Sequence, residues 1–139
     1  MAGRFAGRRN GTQHGRIALV LIGIVLVTSI VAMLVKRLVS RVRPGHENAG
    51  QFLGPSLKHA NYKESFPSSH SACAVAFSVV LATLYPNAAV TFWVLALTCA
   101  GLRYIMDAHW PSDVFGGIAL GYAMASAAGQ WAGLAPVGR

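Results

Sequence analysis

The chain has 139 residues, 54% of them hydrophobic and only 12% charged, with 12 Lys and Arg against 4 Asp and Glu. That balance excludes a disordered tail or a basic nucleic-acid arm, and it departs from an ordinary soluble domain at about 45–50% apolar and about 25% charged. An oily, basic chain of single-domain length implies a bilayer as its partner, with the charges held at the ends of spans.

The charge gaps locate those spans. A basic N-terminal segment, residues 1–16, carries Arg4, Arg8, Arg9 and Arg16 and leads into Ile17–Val35, 19 residues without a charge. At about 1.5 Å rise per residue this run can cross a hydrocarbon core of roughly 30 Å. It continues into Lys36 and Arg37 without a small-residue cleavage site, as a retained signal anchor would. Ser65–Leu102 has 38 residues without Lys, Arg, Asp or Glu, interrupted by Pro86-Asn87. Pro-Asn is a turn signal, so the run predicts a hairpin of two helices, about Ser71–Tyr85 and Ala88–Met106. Val114–Gly138 gives 25 more uncharged residues and predicts a fourth helix ending near Trp131–Gly133. The fold class expected is therefore all-α, a polytopic membrane bundle of about four helices over residues 17–139. Cys73 and Cys99 lie in apolar runs and read as small core residues.

Four spans place both termini on one side and the Ser40–Ser65 loop and the Arg103–Asp113 corner on the other. Three polar clusters then meet at one membrane boundary: Lys36 to Arg43-Pro44, Phe66-Pro67-Ser68-Ser69-His70-Ser71, and Arg103 with His109 and Asp113. Each alone has an ordinary reading: snorkelling cations, a helix start capped by Ser68, an i,i+4 pair at a helix start with Pro111 near its first position. Their convergence points to a phosphate. Lys36, Arg43 and Arg103 offer positive charge and donors, and the helix starts at Ser68–Ser71 and Trp110–Asp113 offer free backbone N–H groups. A neutral imidazole attacks phosphorus when one nitrogen is free and the other is held. Asp113 is spaced to hold His109, and His70 can protonate a departing oxygen.

In these residues the chain resembles the type 2 phosphatidic acid phosphatase superfamily, whose site is shared with vanadium haloperoxidases. Lys36-RLVSRV-Arg43-Pro44 matches the first motif in full. Pro67-Ser68-Ser69-His70 matches the second with Ser69 in place of glycine. Leu102-Arg103-YIMDA-His109-WPS-Asp113 matches the third with Leu102 in place of serine. The resemblance implies a phosphatase domain in which His109 is the nucleophile, Asp113 orients it and His70 is the general acid. Lys36, Arg43, Ser68, Arg103 and the backbone at Ser69 would hold the phosphoryl oxygens. It implies a phosphorylated lipid as substrate, no metal and no cofactor, and an active site on the non-cytoplasmic face. That agrees with both termini in the cytoplasm of a bacterial cell.

Ser69 is costly if its backbone needs positive φ and cheap if it is the first residue of a helix. Leu102 is expected to alter packing under Arg103. Gly117-xxx-Gly121 allows close helix approach, either within the bundle or to a second copy of the chain in a homo-oligomer. Gly45–Ser65 is long enough for a short interfacial helix or a lid. His46 and His59 within it read as loop residues rather than ligands, Trp93 as a packing residue, and Trp110 as an interfacial one that could touch a lipid chain. A non-catalytic lipid-phosphate binder is the alternative that the Ser69 and Leu102 changes suggest.

Overall fold

The structure is a computed structural model that describes residues 3–56, 60–106 and 109–134, with side chains from His14 onward. His59 and the last residues of the fourth uncharged run, 135–138, lie outside the described residues. Within them the chain forms four α-helices and two short 3₁₀ turns: α1 (Gly3–Val39), α2 (Ser69–Leu84), α3 (Ala89–Ile105) and α4 (Pro111–Ala132). The 3₁₀ turns lie at Asn61–Lys63 and Pro86–Ala88, and the only extended pairing among the described residues is an isolated bridge between Arg41 and Phe52.

Local chemistry sets each boundary. α1 carries the basic segment and the first span in one helix and ends with Lys36 and Arg37 in its last turn, cations favoured by the helix dipole. Ser40 then turns the chain with φ 44° while its N–H caps the Lys36 carbonyl at 2.8 Å. α2 starts two residues before the predicted Ser71, because Ser68 is its N-cap and accepts from the Ser71 N–H at 3.4 Å. Pro86 opens the 3₁₀ turn that leads into α3. α4 begins at Pro111, the position expected from the proline, three residues before the uncharged run itself starts. The proline occupies the first turn, where its missing N–H costs nothing, and the Asp113 carboxylate accepts from the Trp110 N–H at 2.9 Å. Gly133, with φ 58°, ends it in the left-handed conformation that glycine adopts freely.

α2 is the centre of the bundle and packs on α1, α3 and α4; among the described residues the backbones of α1 and α3 do not approach each other closely. The core gathers Ile24 of α1, Ala76, Val80 and Leu84 of α2 and Ala125 of α4. α2 and α4 meet through glycine. A Cβ at Gly117 would lie 2.5 Å from the Ser68 carbonyl oxygen, and one at Gly121 would lie 2.2 Å from that of Ala72. The Gly-xxx-Gly face is thus occupied within the bundle. The residues from 14 to 39 and from 86 to 105 are each long and apolar enough to cross a membrane, yet only 17% and 11% of their most apolar stretches are buried. A core helix of a soluble protein would be covered by protein. Leu19, Leu38, Val90 and Ile105 stand outward instead, as residues facing acyl chains would. The architecture is that of an integral membrane protein. α2, at about 24 Å, and α4, at about 33 Å, carry the small residues that close packing needs.

The segment between α1 and α2 forms no α-helix among its described residues, only the 3₁₀ turn at Asn61–Lys63. It folds back on itself: Val42 N–H bonds to Gln51 O at 2.9 Å, Leu53 N–H to Ser40 O at 3.1 Å and Ser65 N–H to Arg41 O at 3.0 Å. Trp110 pins this loop from α4. Its indole N–H donates to the Val42 carbonyl at 3.1 Å and its ring lies against Gly50, so packing under the loop is its role here. His46 stacks at 5.6 Å on Tyr62 in the loop, and Trp93 packs on Tyr122 in the bundle.

Candidate active site

The three polar clusters come from the ends of all four helices. Lys36, on the last turn of α1, is buried, and its ammonium donates to the Glu64 carbonyl at 2.7 Å. Arg43 follows in the loop, its backbone N–H fixed on the Tyr62 carbonyl at 2.8 Å. Arg103 comes from the last turn of α3. Ser68, Ser69 and His70 open α2, and His109 and Asp113 lie just before and just inside α4. α2 and α4 are tied together at this end, where the Ser68 N–H donates to the Asp113 carbonyl at 2.9 Å.

Charge shows that these groups share one locus. Lys36 lies within Coulombic range of Arg43, Arg103 and Asp113, and His70 within range of Lys36, Arg43, Arg103 and His109. Burial, and then the nearby Arg103 charge, push the Arg43 guanidinium below its ordinary range, with Glu64 and Asp113 opposing. Cations assembled against their mutual repulsion create a potential that an anion relieves. The Nε atoms of Arg43 and Arg103 are buried and have no hydrogen-bond partner among the described residues. A buried donor without an acceptor is costly, and a phosphoryl oxygen is a suitable acceptor for both.

His109 is 2% exposed, and its Nδ1 lies 2.9 Å from the Ser65 carbonyl oxygen. A carbonyl only accepts, so Nδ1 must carry the proton and Nε2 is the nitrogen with a free lone pair. In this link the structure differs from the sequence expectation. The Asp113 carboxylate approaches His109 Nδ1 only to 3.7 Å, an electrostatic rather than a hydrogen-bonding distance. Its oxygens are taken by other donors: Arg41 Nη1 at 2.6 Å on Oδ1, and the Ser65 hydroxyl and the Trp110 N–H on Oδ2. Arg41 and Ser65 are the residues that sequence reasoning missed. Arg41 stands in the same basic stretch as Arg43 but 72 positions from Asp113, and Ser65 holds His109 through a backbone oxygen that has no side-chain signature.

The two departures from the family motifs find simple places. Ser69 is the first residue of α2 and has no positive φ, so its side chain is accommodated without backbone strain. Leu102 is 49% exposed and faces outward rather than packing beneath Arg103. The Ser68 hydroxyl is fully buried and accepts from the Ser71 hydroxyl at 3.0 Å, which leaves its own proton free to donate.

Residues 17–135 match the family model of the PAP2 superfamily. The chain belongs to that superfamily. Over 99 residues, 70% of the chain, it is 39% identical to a lipid A 1-phosphatase of Rhizobium etli and covers 42% of that protein. It is 36% identical over 98 residues to a decaprenylphosphoryl-5-phosphoribose phosphatase of Mycobacterium tuberculosis, covering 68% of the chain and 50% of the relative. The chain thus spans half or less of the length of these curated relatives. No solved structure matches it.

Proposed function

We propose that the protein is a membrane lipid phosphatase that hydrolyses a phosphomonoester or diphosphate of a lipid through a phosphohistidine. The observation that carries this reading is the meeting of Lys36, Arg43 and Arg103 with His70 and a single-tautomer His109 at one end of an apolar bundle. The lipid's phosphoryl group enters the cationic cradle, where Arg43 and Arg103 present unsatisfied N–H groups and the start of α2 presents Ser68, Ser69 and its backbone donors. His109 Nε2 attacks phosphorus, and the bond from phosphorus to the lipid oxygen breaks. His70, exposed at the first turn of α2, gives that oxygen its proton. Water then attacks the phosphohistidine with His70 as base, releasing phosphate and restoring the imidazole. Charge neutralisation and positioning supply most of the catalysis in such a transfer, and three cations provide both without a metal.

The relatives' names support a lipid-linked phosphate substrate; lipid A, a prenyl-linked phosphoribose, a polyprenyl diphosphate and phosphatidic acid form the panel to test. The site lies at the end of the bundle opposite the N-terminus, and we place it on the non-cytoplasmic face with the basic segment of α1 inside, in keeping with the positive-inside tendency of a first helix. The test is phosphate release by the purified full chain from that panel, with and without chelator. Release that persists with chelator and is lost in His109→Ala is expected. Full turnover by His109→Ala on every substrate would overturn the mechanism, and binding of phosphorylated lipid with no release would favour the non-catalytic reading.

A further inference from the structure

Asp113 and His109 are both enclosed, and what holds them is the loop between α1 and α2. The Asp113 side chain is fully buried, and a buried carboxylate is stable only if paired and hydrogen-bonded. Arg41 supplies the pair: its Nη1 lies 2.6 Å from Asp113 Oδ1 and 2.5 Å from the Ser112 hydroxyl, with its own side chain 13% exposed. The guanidinium carbon lies 4.9 Å from the centroid of the Phe52 ring and 5.4 Å from that of the Trp110 ring, and the Nε reaches the Gly50 carbonyl at 3.4 Å. The Arg41 carbonyl accepts from the Ser65 N–H at 3.0 Å, and Ser65 in turn holds His109 by its carbonyl and Asp113 by its hydroxyl. One residue therefore fixes both the carboxylate and the backbone acceptor of the imidazole.

We infer that Arg41 is a positioning residue for the proposed reaction: it clamps Asp113 Oδ1, keeps the carboxylate off His109 Nδ1 and partly neutralises its charge. The inference rests on the phosphatase reading but concerns a residue outside the three family motifs' defining positions. Of the other charged groups, Lys36 from α1 and Arg43 from the loop lie within Coulombic range of Asp113 and His70 from α2 within range of His109, while Glu64 from the loop acts on Lys36 and Arg43, and Arg103 from α3 on Lys36, Arg43 and His70. Lys36 spends its ammonium on the Glu64 carbonyl, and among the described residues Arg41 is the cation hydrogen-bonded to Asp113. Removing it leaves a buried carboxylate 3.7 Å from the imidazole with less to offset its charge, which stabilises the imidazolium and withholds the nucleophilic neutral form.

The experiment measures phosphate release against pH for the full chain and for Arg41→Gln, Arg41→Lys and Arg37→Gln, on whichever lipid of the panel the wild type hydrolyses. In Arg41→Gln, kcat is expected to fall by roughly 10- to 100-fold with KM changed by less than about threefold, since the phosphate cradle is intact. The acid limb of kcat/KM should move up by about one pH unit, the sign that loss of a nearby positive charge dictates. Arg41→Lys keeps the charge without the fork, so its acid limb should stay at the wild-type position while kcat falls several-fold. An acid limb unmoved in Arg41→Gln, or moved equally by Arg37→Gln, would overturn the assignment, because a merely structural or diffuse effect produces those results. Should Arg41→Gln fail to assemble, a wild-type kcat in Arg41→Lys overturns it. Absence of turnover by the wild type on every lipid would refute the phosphatase reading itself, an outcome distinct from these.

Discussion

Gly121→Ala adds one methyl group where α4 crosses α2, and the structure sets its cost. The new Cβ would lie 2.2 Å from the Ala72 carbonyl oxygen and 3.0 Å from its carbonyl carbon, both backbone atoms of a helix that cannot yield like a side-chain tip. The helices must separate by on the order of 1 Å, an overpacking worth about 1–3 kcal/mol in a tight core. That displacement propagates to the helix starts, where the 2.9 Å bond between Ser68 N–H and the Asp113 carbonyl joins the two halves of the site. Gly129→Ala on the same helix meets nothing within 4 Å, and replacing a helical glycine there should be neutral or stabilising by up to about 1 kcal/mol. Thermal melting of the detergent-solubilised chain, with phosphate release on the same samples, compares the two. Gly121→Ala should melt several degrees lower and lose at least about tenfold in turnover, while Gly129→Ala keeps both. Equal stability and turnover in the two variants would refute the claim that glycine contacts between α2 and α4 hold the site together.

Other outcomes follow from single positions. Ser69→Gly restores the family's residue at the first position of α2, and because no positive φ is required there, turnover should change by less than about threefold. Ser40 has φ 44° and is buried, so Ser40→Val should lower the melting temperature clearly, by roughly 1–2 kcal/mol of stability, while Ser40→Gly should not. Arg103→Ala removes a buried donor without breaking any hydrogen bond seen at its Nε, so phosphate-dependent inhibition and substrate affinity should fall more than thermal stability does. Inorganic phosphate titrated into wild type and variant separates those effects.

The placement of the elements was legible because charge gaps and turn residues are local signals. The hairpin at Pro86-Asn87, the N-cap at Ser68 and the α4 start at Pro111 are written in consecutive residues, and the start of α2 differs from expectation because its first turn includes polar residues, Ser69 and His70, that a hydropathy reading leaves out. The three motifs point to one boundary, and the Coulombic coupling of Lys36, Arg43, Arg103, His70 and His109 is what that topology requires. The pairings inside the site were not legible. An i,i+4 spacing suggested that Asp113 holds His109 directly, but the loop inserts the Ser65 carbonyl at that nitrogen and diverts the carboxylate to Arg41. Such contacts arise from how the loop folds back on itself, through backbone hydrogen bonds that any side chain permits. The close approach of Gly117 and Gly121 was readable as a small-residue pattern, whereas its partner, the backbone of α2, was known only from the packed helices.

The central claim is that His109 takes the phosphoryl group on Nε2. Rapid quenching of the purified chain during turnover of a radiolabelled phosphorylated lipid, followed by denaturation and peptide mapping, tests it most directly. An acid-labile, alkali-stable phosphoryl label is expected on the peptide carrying His109, absent from His109→Gln and accumulating in His70→Ala, which lacks the base for the second step. Turnover with no label on that peptide, or with the label on another residue, would contradict it.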